Sequence, residues 1–212
     1  MKLYSSIGPN PRLVRLFAAA KGVSLPLVEV DIMAGENRQP DFLKINPTGT
    51  TPVLELNDGT RIAETTAICE YLEELHPEPH LIGATASERA RTRMWWRRVD
   101  QMIVQPMTAG FRGAEGLELF QSRVVCYPEV SERYKQEARN GWLWLEGQLT
   151  EGRPFLCGQR LTVVDLLLLC FADFGEQVGQ RLSDEESPCL GRWLAGMRGH
   201  ACQWEEQASV PE

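Results

Sequence analysis

The spacing of apolar positions along the chain changes once, near residue 80. Before it, short strand-like runs alternate with helical stripes; after it, every strong pattern has the helical period. Residues 2–5 read as a short strand. Asn10-Pro11 is then expected to supply an N-cap followed by proline at the first helical position. Leu13, Val14, Leu16, Phe17 and Ala20 form the apolar stripe of that helix, and Gly22 closes it. Residues 27–30 give a second strand, so the chain opens with a βαβ unit. Residues 53–56 and 60–63 flank Asn57-Asp58-Gly59, a hairpin signal because Asp-Gly tolerates the positive φ of a tight turn. Ile68, Tyr71, Leu72 and Leu75 fall at i, i+3, i+4 and i+7 on a helix that ends before Pro77. The order is β-α-β, a loop, then β-β-α.

Residues 76–84 are punctuated by Pro and Gly and read as a linker. The expected organisation is an α/β domain over 1–76, a linker over 77–85 and an all-helical domain over 86–212. Thr85 and Glu88 form a capping box for a long helix with apolar face Trp95, Val99, Met102, Ile103 and Pro106. Tyr134, Ala138, Trp142, Leu145 and Leu149 mark a second helix. Thr162 caps a third with Asp165 three residues on, and this one is apolar on nearly every side until Asp173, as befits a central buried helix. A fourth starts at Ser187-Pro188 and presents Leu190, Trp193, Leu194 and Met197.

Composition narrows the function classes. The 212 residues are 43% hydrophobic and 24% charged, enough for a real core. The net charge is −7, with no basic arm in either half, which argues against a nucleic-acid partner. The longest apolar stretch, residues 163–174, is broken by Asp165 and Asp173 and falls short of the ~20 residues that span a bilayer, so no membrane partner is expected. The amino terminus lacks the apolar run of a secretory signal, and a cytoplasmic location is expected. Six cysteines without a C-x-x-C and three histidines give no zinc spacing, so no metal is expected.

Three segments carry candidate chemistry. In Thr50-Thr51-Pro52-Val53, a proline just before a strand cannot donate to the ladder, and as a cis residue it would leave the Thr51 amide and carbonyl to pair with an extended, peptide-like ligand. An ordinary turn before an edge strand is the alternative. In Glu64-Thr65, an acidic residue and a hydroxyl open a helix whose free amides suit a ligand carboxylate while Glu64 suits an ammonium; plain capping is the alternative. Asn10, at the mouth of the first helix, can hold an anion such as a thiolate with its amide and the helix dipole, or can simply be an N-cap.

In this order and spacing, from Lys2 to about Cys202, the chain resembles the glutathione transferase superfamily, of bacterial type and near its Nu, theta and beta classes. The resemblance implies a thioredoxin-like βαβ-ββα N-terminal domain and an all-α C-terminal domain. It implies that Thr51 is the backbone partner of the glutathione cysteine, Pro52 the cis-proline, and Glu64 with Thr65 the clamp on the γ-glutamyl end. Arg38, in Asn37-Arg38, stands where theta-like members hold the glycine carboxylate. Gly8 occupies the position of the theta-class serine, so thiol activation is expected from Asn10 first, Tyr4 second and the Ser5 or Ser6 hydroxyls third. Asp100 stands where some classes reach the neighbouring subunit's glutathione, and Trp95, Met102, Met107 and Phe111 are candidates for an apolar substrate pocket. The implied function is a detoxifying, homodimeric transferase that uses glutathione as co-substrate and conjugates its thiolate to a small hydrophobic electrophile. Glutathione-dependent disulfide reduction, and a non-catalytic adaptor of the same fold, are the alternatives.

Overall fold

The computed structural model describes residues 1–150 and 152–208, the last four as backbone only. Residues 1–84 with the chain from His200 form one compact unit, and Thr85–Gly199 a second. The expected domain end at 212 lies outside the described residues.

In the first unit the order is β1 Lys2–Ser5, α1 Pro9–Ala20, β2 Leu27–Glu29, a 3-10 turn Glu36–Arg38, α2 Pro40–Leu43, β3 Val53–Glu55, β4 Arg61–Ala63 and α3 Thr65–Leu75. The sheet order is β2-β1-β3-β4, with β1 parallel to β2 and the other two pairs antiparallel. This is the expected thioredoxin-like arrangement. Strand alternation sends Leu3 and Leu54 to one face, fully buried. Tyr4 and Val53 go to the other, in a cluster with Val30 and Phe42.

α1 corrects one expectation. It begins two residues earlier than the Asn10-Pro11 signal suggests, with Gly8 at φ 114 as N-cap and Pro9 at the first helical position. Pro9 has the fixed φ and missing N–H that suit that position, so it takes the place expected for Pro11, and Asn10 lies inside the first turn. The other end behaves as expected: Gly22 at φ 66 donates to Ala19 and Val23 to Ala18, closing the helix as a Schellman motif. α2 falls in the stretch read as loop. Four residues with one apolar anchor leave no periodic signal; that anchor, Phe42, meets the Tyr4 ring edge-on at 6.3 Å. On α3 the buried face holds Ile68, Cys69, Leu72 and Glu73, while Leu75 is 47% exposed. The stripe is rotated from the apolar spacing because Glu73 is buried against a buried lysine, Lys21, at 2.7 Å.

The second unit holds α4 Ala86–Val99, a π turn Asp100–Val104, α5 Gln105–Gly113, α6 Leu117–Phe120, α7 Ser131–Leu149 and α8 Val163–Gln177. α9 Pro188–Ala208 begins in it. The wide π turn falls where Pro106 withholds an N–H from the helix. α4 opens with the Thr85–Glu88 capping box. Every residue from Val163 through Ala172 is buried, so α8 is the core of this unit. At its start the Thr162 N–H and Oγ1 both donate to Asp165 Oδ2 at 2.8 Å, and the Leu156 N–H donates to Asp165 Oδ1 at 2.8 Å. α7 lies close to the π turn: a Cβ on Gly141 would sit 2.2 Å from the Met102 carbonyl oxygen, so only glycine fits.

Candidate functional site

The register of the sheet gathers the sequence-selected residues at one end. Tyr4 pairs with Val53, and Val53 with Ala63. The residues beyond these pairs are Ser6 just after β1, Thr51-Pro52 ahead of β3, and Glu64-Thr65 after β4. The Ser6 and Thr51 hydroxyls meet at 2.6 Å, which closes the row on the β1 side. The β1–α1 turn with Gly8 and Asn10 starts from the same end.

The loop entering this row is braced from behind. Asn37, buried, donates from Nδ2 to the Gly49 carbonyl at 2.6 Å, and Asn46 Nδ2 donates to the Thr50 carbonyl at 2.8 Å. Gly49 at φ 64 leaves no room for a Cβ, which would lie 2.9 Å from both Arg38 Nη1 and the Asn37 oxygen. Thr51 lies two residues after Gly49, and the Thr51–Pro52 bond is cis. Neither the Thr51 N–H nor its C=O takes part in a hydrogen bond among the described residues. Arg38 donates to the Thr48 carbonyl at 3.3 Å and has no carboxylate partner among those residues.

Glu64 is unlike any other non-glycine residue described, with φ at +70. A side chain held there costs of order 1–3 kcal/mol, strain that concentrates at ligand clamps. Its carbonyl starts α3 by accepting from Ile68, but its exposed carboxylate has neither hydrogen bond nor ion pair among the described residues. Thr65, half-buried, opens the helix beside it with no side-chain hydrogen bond.

The four thiol-activating candidates differ in what they are already doing. The Tyr4 hydroxyl donates to Glu55 Oε2 at 3.2 Å. Hydrogen bonds from Lys2 and then Arg61 hold that carboxylate below its ordinary range. Ser5 is fully buried and its Oγ accepts from Arg15 Nη1 at 2.6 Å. Ser6 is held between Thr51 and the Ile7 carbonyl. Asn10 alone is exposed with an uncommitted amide. Pro9 and Pro11 remove two of the four N–H groups that a helix start normally leaves free, so the first turn offers an anion the Gly8 and Asn10 amides only.

Trp95 and Met107 are buried, 4% and 0% exposed. Asp100 Oδ2 accepts from Arg97 at 3.1 Å and Gln105 at 2.7 Å, so that oxygen is engaged within its own chain. Sequence reasoning missed Arg15, whose second bond, to the Ser6 carbonyl at 3.3 Å, fixes the end of β1. Arg15, set between Val14 and Leu16 of the apolar stripe, was the available signal.

The sequence profile of the glutathione S-transferase N-terminal domain matches residues 7–75, and that of the C-terminal domain matches residues 127–200. The chain is 33% identical over 198 residues to glutathione S-transferase 2 of Saccharomyces cerevisiae, covering 90% of this chain and 82% of that one. It is 35% identical to a glutathione S-transferase domain-containing protein of Marinobacter aquaeolei VT8, whose crystal structure superposes with a TM-score of 0.84 over 92% of this chain and 96% of the other. It is also 32% identical over 162 residues to FtsZ-localized protein A of Caulobacter vibrioides, covering 75% of this chain and 69% of that protein.

Proposed function

The chain belongs to the glutathione S-transferase superfamily, and on that premise we propose that it binds glutathione across the end of its sheet and transfers the thiolate to a small hydrophobic electrophile. The observation that carries this is the row itself: a Thr51 backbone with both groups free, at the same end of the β3–β4 pair as a strained, partnerless Glu64. Thr51 pairs with the main chain of the glutathione cysteine, as an added strand would. Glu64 takes the γ-glutamyl ammonium, and Thr65, at the start of α3, takes its carboxylate. Arg38 takes the glycine carboxylate.

Chemistry then needs the thiol as thiolate, because that is the nucleophile. Asn10 donates its side-chain amide to the sulfur, adding to the positive end of α1. The sulfur forms a bond to the electrophilic carbon, and the leaving group departs with its electron pair; no metal takes part in this scheme. A homodimer in the cytoplasm is part of the same proposal, on family grounds.

A non-catalytic adaptor is the second reading, favoured by the likeness to FtsZ-localized protein A. Titration calorimetry with glutathione separates the two, since an adaptor without a ligand gives no binding heat. A panel of electrophiles and disulfides, run with saturating glutathione, then separates conjugation from disulfide reduction. Thioether products support the proposal; binding without turnover of any electrophile overturns its catalytic half.

A further inference from the structure

Arg15, on α1, is half-buried and makes two hydrogen bonds, both from Nη1: to Ser5 Oγ at 2.6 Å and to the Ser6 carbonyl at 3.3 Å. Both acceptors are neutral. Ser5 is 0% exposed and Ser6 1%, so the guanidinium rests against buried chain between β1 and α1. A charge taken out of water is normally paired. Arg15 has no carboxylate within ion-pair distance among the described residues.

The charges around it are matched to other groups. On α3, Glu73 is held by Lys21 at 2.7 Å, and neither Glu70 nor Glu74 reaches Arg15. Arg12, one turn earlier on α1, has partners of its own. Across β1 and β3, Lys2 pairs with Glu55 at 2.9 Å, and the Tyr4 hydroxyl donates to the same carboxylate. In the glutathione reading the two ligand carboxylates go to the start of α3 and to Arg38, and the ammonium goes to Glu64. The one ligand charge left over is the thiolate.

Arg15 is also joined to the ligand's clamp. The Ser6 hydroxyl donates to the Ile7 carbonyl at 3.1 Å, and with that proton engaged the Thr51 hydroxyl is the donor in their 2.6 Å contact. Neither hydroxyl then has a proton for a ligand sulfur. The path runs from the guanidinium through Ser6 to Thr51, whose main chain is the proposed partner of the glutathione cysteine.

We propose that Arg15 is a positioning residue of the thiol site: from behind the β1–α1 turn it fixes Ser6 and, as the unmatched positive charge, favours the thiolate of bound glutathione over the thiol. This rests on the glutathione reading above. Arg15 neither touches the sulfur nor takes its proton, which goes to water. A unit charge roughly 10 Å from an ionising group in a part-buried setting shifts its pKa by about 0.5–1 unit.

The test is the thiol titration of bound glutathione, read as the ultraviolet difference between the glutathione and S-methylglutathione complexes of the full chain. Arg15→Gln, which keeps a donor for Ser5 and removes the charge, is expected to raise that pKa by about 0.5–1 unit, and Arg15→Lys, which keeps the charge, to leave it within about 0.3 unit. Calorimetry with S-methylglutathione, which has no thiol to ionise, is expected to give a Kd within about twofold of the parent for both variants. A brace without an electrostatic role gives the reverse: affinity and melting temperature fall in both variants while the pKa stays. That result overturns the proposal, as does an equal pKa shift in the two variants. Arg15→Met repeats the neutral test if the glutamine variant does not fold. A parent that binds neither ligand overturns the glutathione reading and this inference with it, whereas a parent that binds both, with a pKa indifferent to the neutral variants, overturns this inference alone.

Discussion

Glu64, the N-cap of α3, and Glu73, nine residues further on in the same helix, live in opposite circumstances. Glu73 is 2% exposed, pairs with Lys21 at 2.7 Å, and accepts from the amides of Leu81, Ile82 and Gly83. Lys21 in turn donates to the carbonyls of His76, Pro77 and Pro79. Between them the two side chains tie the segment after α3 to the end of α1. Glu64 is exposed, strained and without a partner. A buried charge is tolerated only when its lone pairs are saturated, so Glu73 belongs to the fold. A charge that is held at a cost and bonds nothing leaves its whole hydrogen-bonding capacity to a ligand, which is the ground on which we propose Glu64 as a ligand clamp.

Breaking the saturated end should cost most. Glu73→Ala leaves the Lys21 ammonium buried without its counter-ion and frees three amides, so the unfolding free energy should drop by about 3–5 kcal/mol in denaturant titration. A drop below 1 kcal/mol would place Glu73 with the surface ion pairs and erase the contrast.

Asp165 extends the saturated class to the helical unit, and there pH sharpens it. Burial lifts its carboxyl from the ordinary 3.8 to about 6, against the hydrogen bonds it accepts from Leu156 and Thr162. Between those values the folded chain keeps a proton that the unfolded chain has released, so this group's contribution to stability falls as pH rises from about 4 to about 6. Asp165→Asn turns an amide toward groups that donate, and should cost about 1–3 kcal/mol at neutral pH. Its deficit should widen as the pH is lowered through that window, because the variant has no such proton to keep. A deficit independent of pH would mean that Asp165 is ionised throughout.

At the unsaturated end, Asn10→Ala should act on the ligand and not on the fold. A free thiol of pKa ~8.5 is about 3% ionised at pH 7, and a shift to about 6.5 requires about 2.7 kcal/mol. A helix start supplies about 0.3–1 kcal/mol, and a hydrogen bond to a charged group about 1.5–3. Asn10→Ala should therefore raise the pKa of bound glutathione by about one to two units, read from ultraviolet thiolate absorbance against pH. If Tyr4→Phe moves that curve and Asn10→Ala does not, activation runs through the Glu55-bound hydroxyl instead.

What the sequence made legible follows the same division. Features with a local cause could be read directly. Gly22 closes α1, the Asn57-Asp58-Gly59 turn joins β3 to β4, and Thr85 with Glu88 and Thr162 with Asp165 cap their helices, because each depends on residues within a turn of one another. Features that depend on distant partners could not. The apolar spacing of α3 favoured Tyr71 and Leu75 over Glu73, whose burial depends on a lysine 52 positions earlier. The Ser6–Thr51 contact is a consequence of strand register, and residue types alone do not set register when strands are three or four residues long. Asn10 was misplaced at the cap because Asn-Pro and Gly-Pro are competing start signals two residues apart.

The central claim is that the uncommitted end of α3 is the ligand's. Titration calorimetry with glutathione on the parent and on Glu64→Ala, with thermal melting of both, tests it most directly. The account predicts an affinity weaker by about 1.5–3 kcal/mol, roughly 10- to 150-fold, because a charge-assisted hydrogen bond is lost. It also predicts no loss in melting temperature, because nothing in the fold uses the carboxylate. A folded variant that binds glutathione as tightly as the parent would contradict it and remove Glu64 from the site.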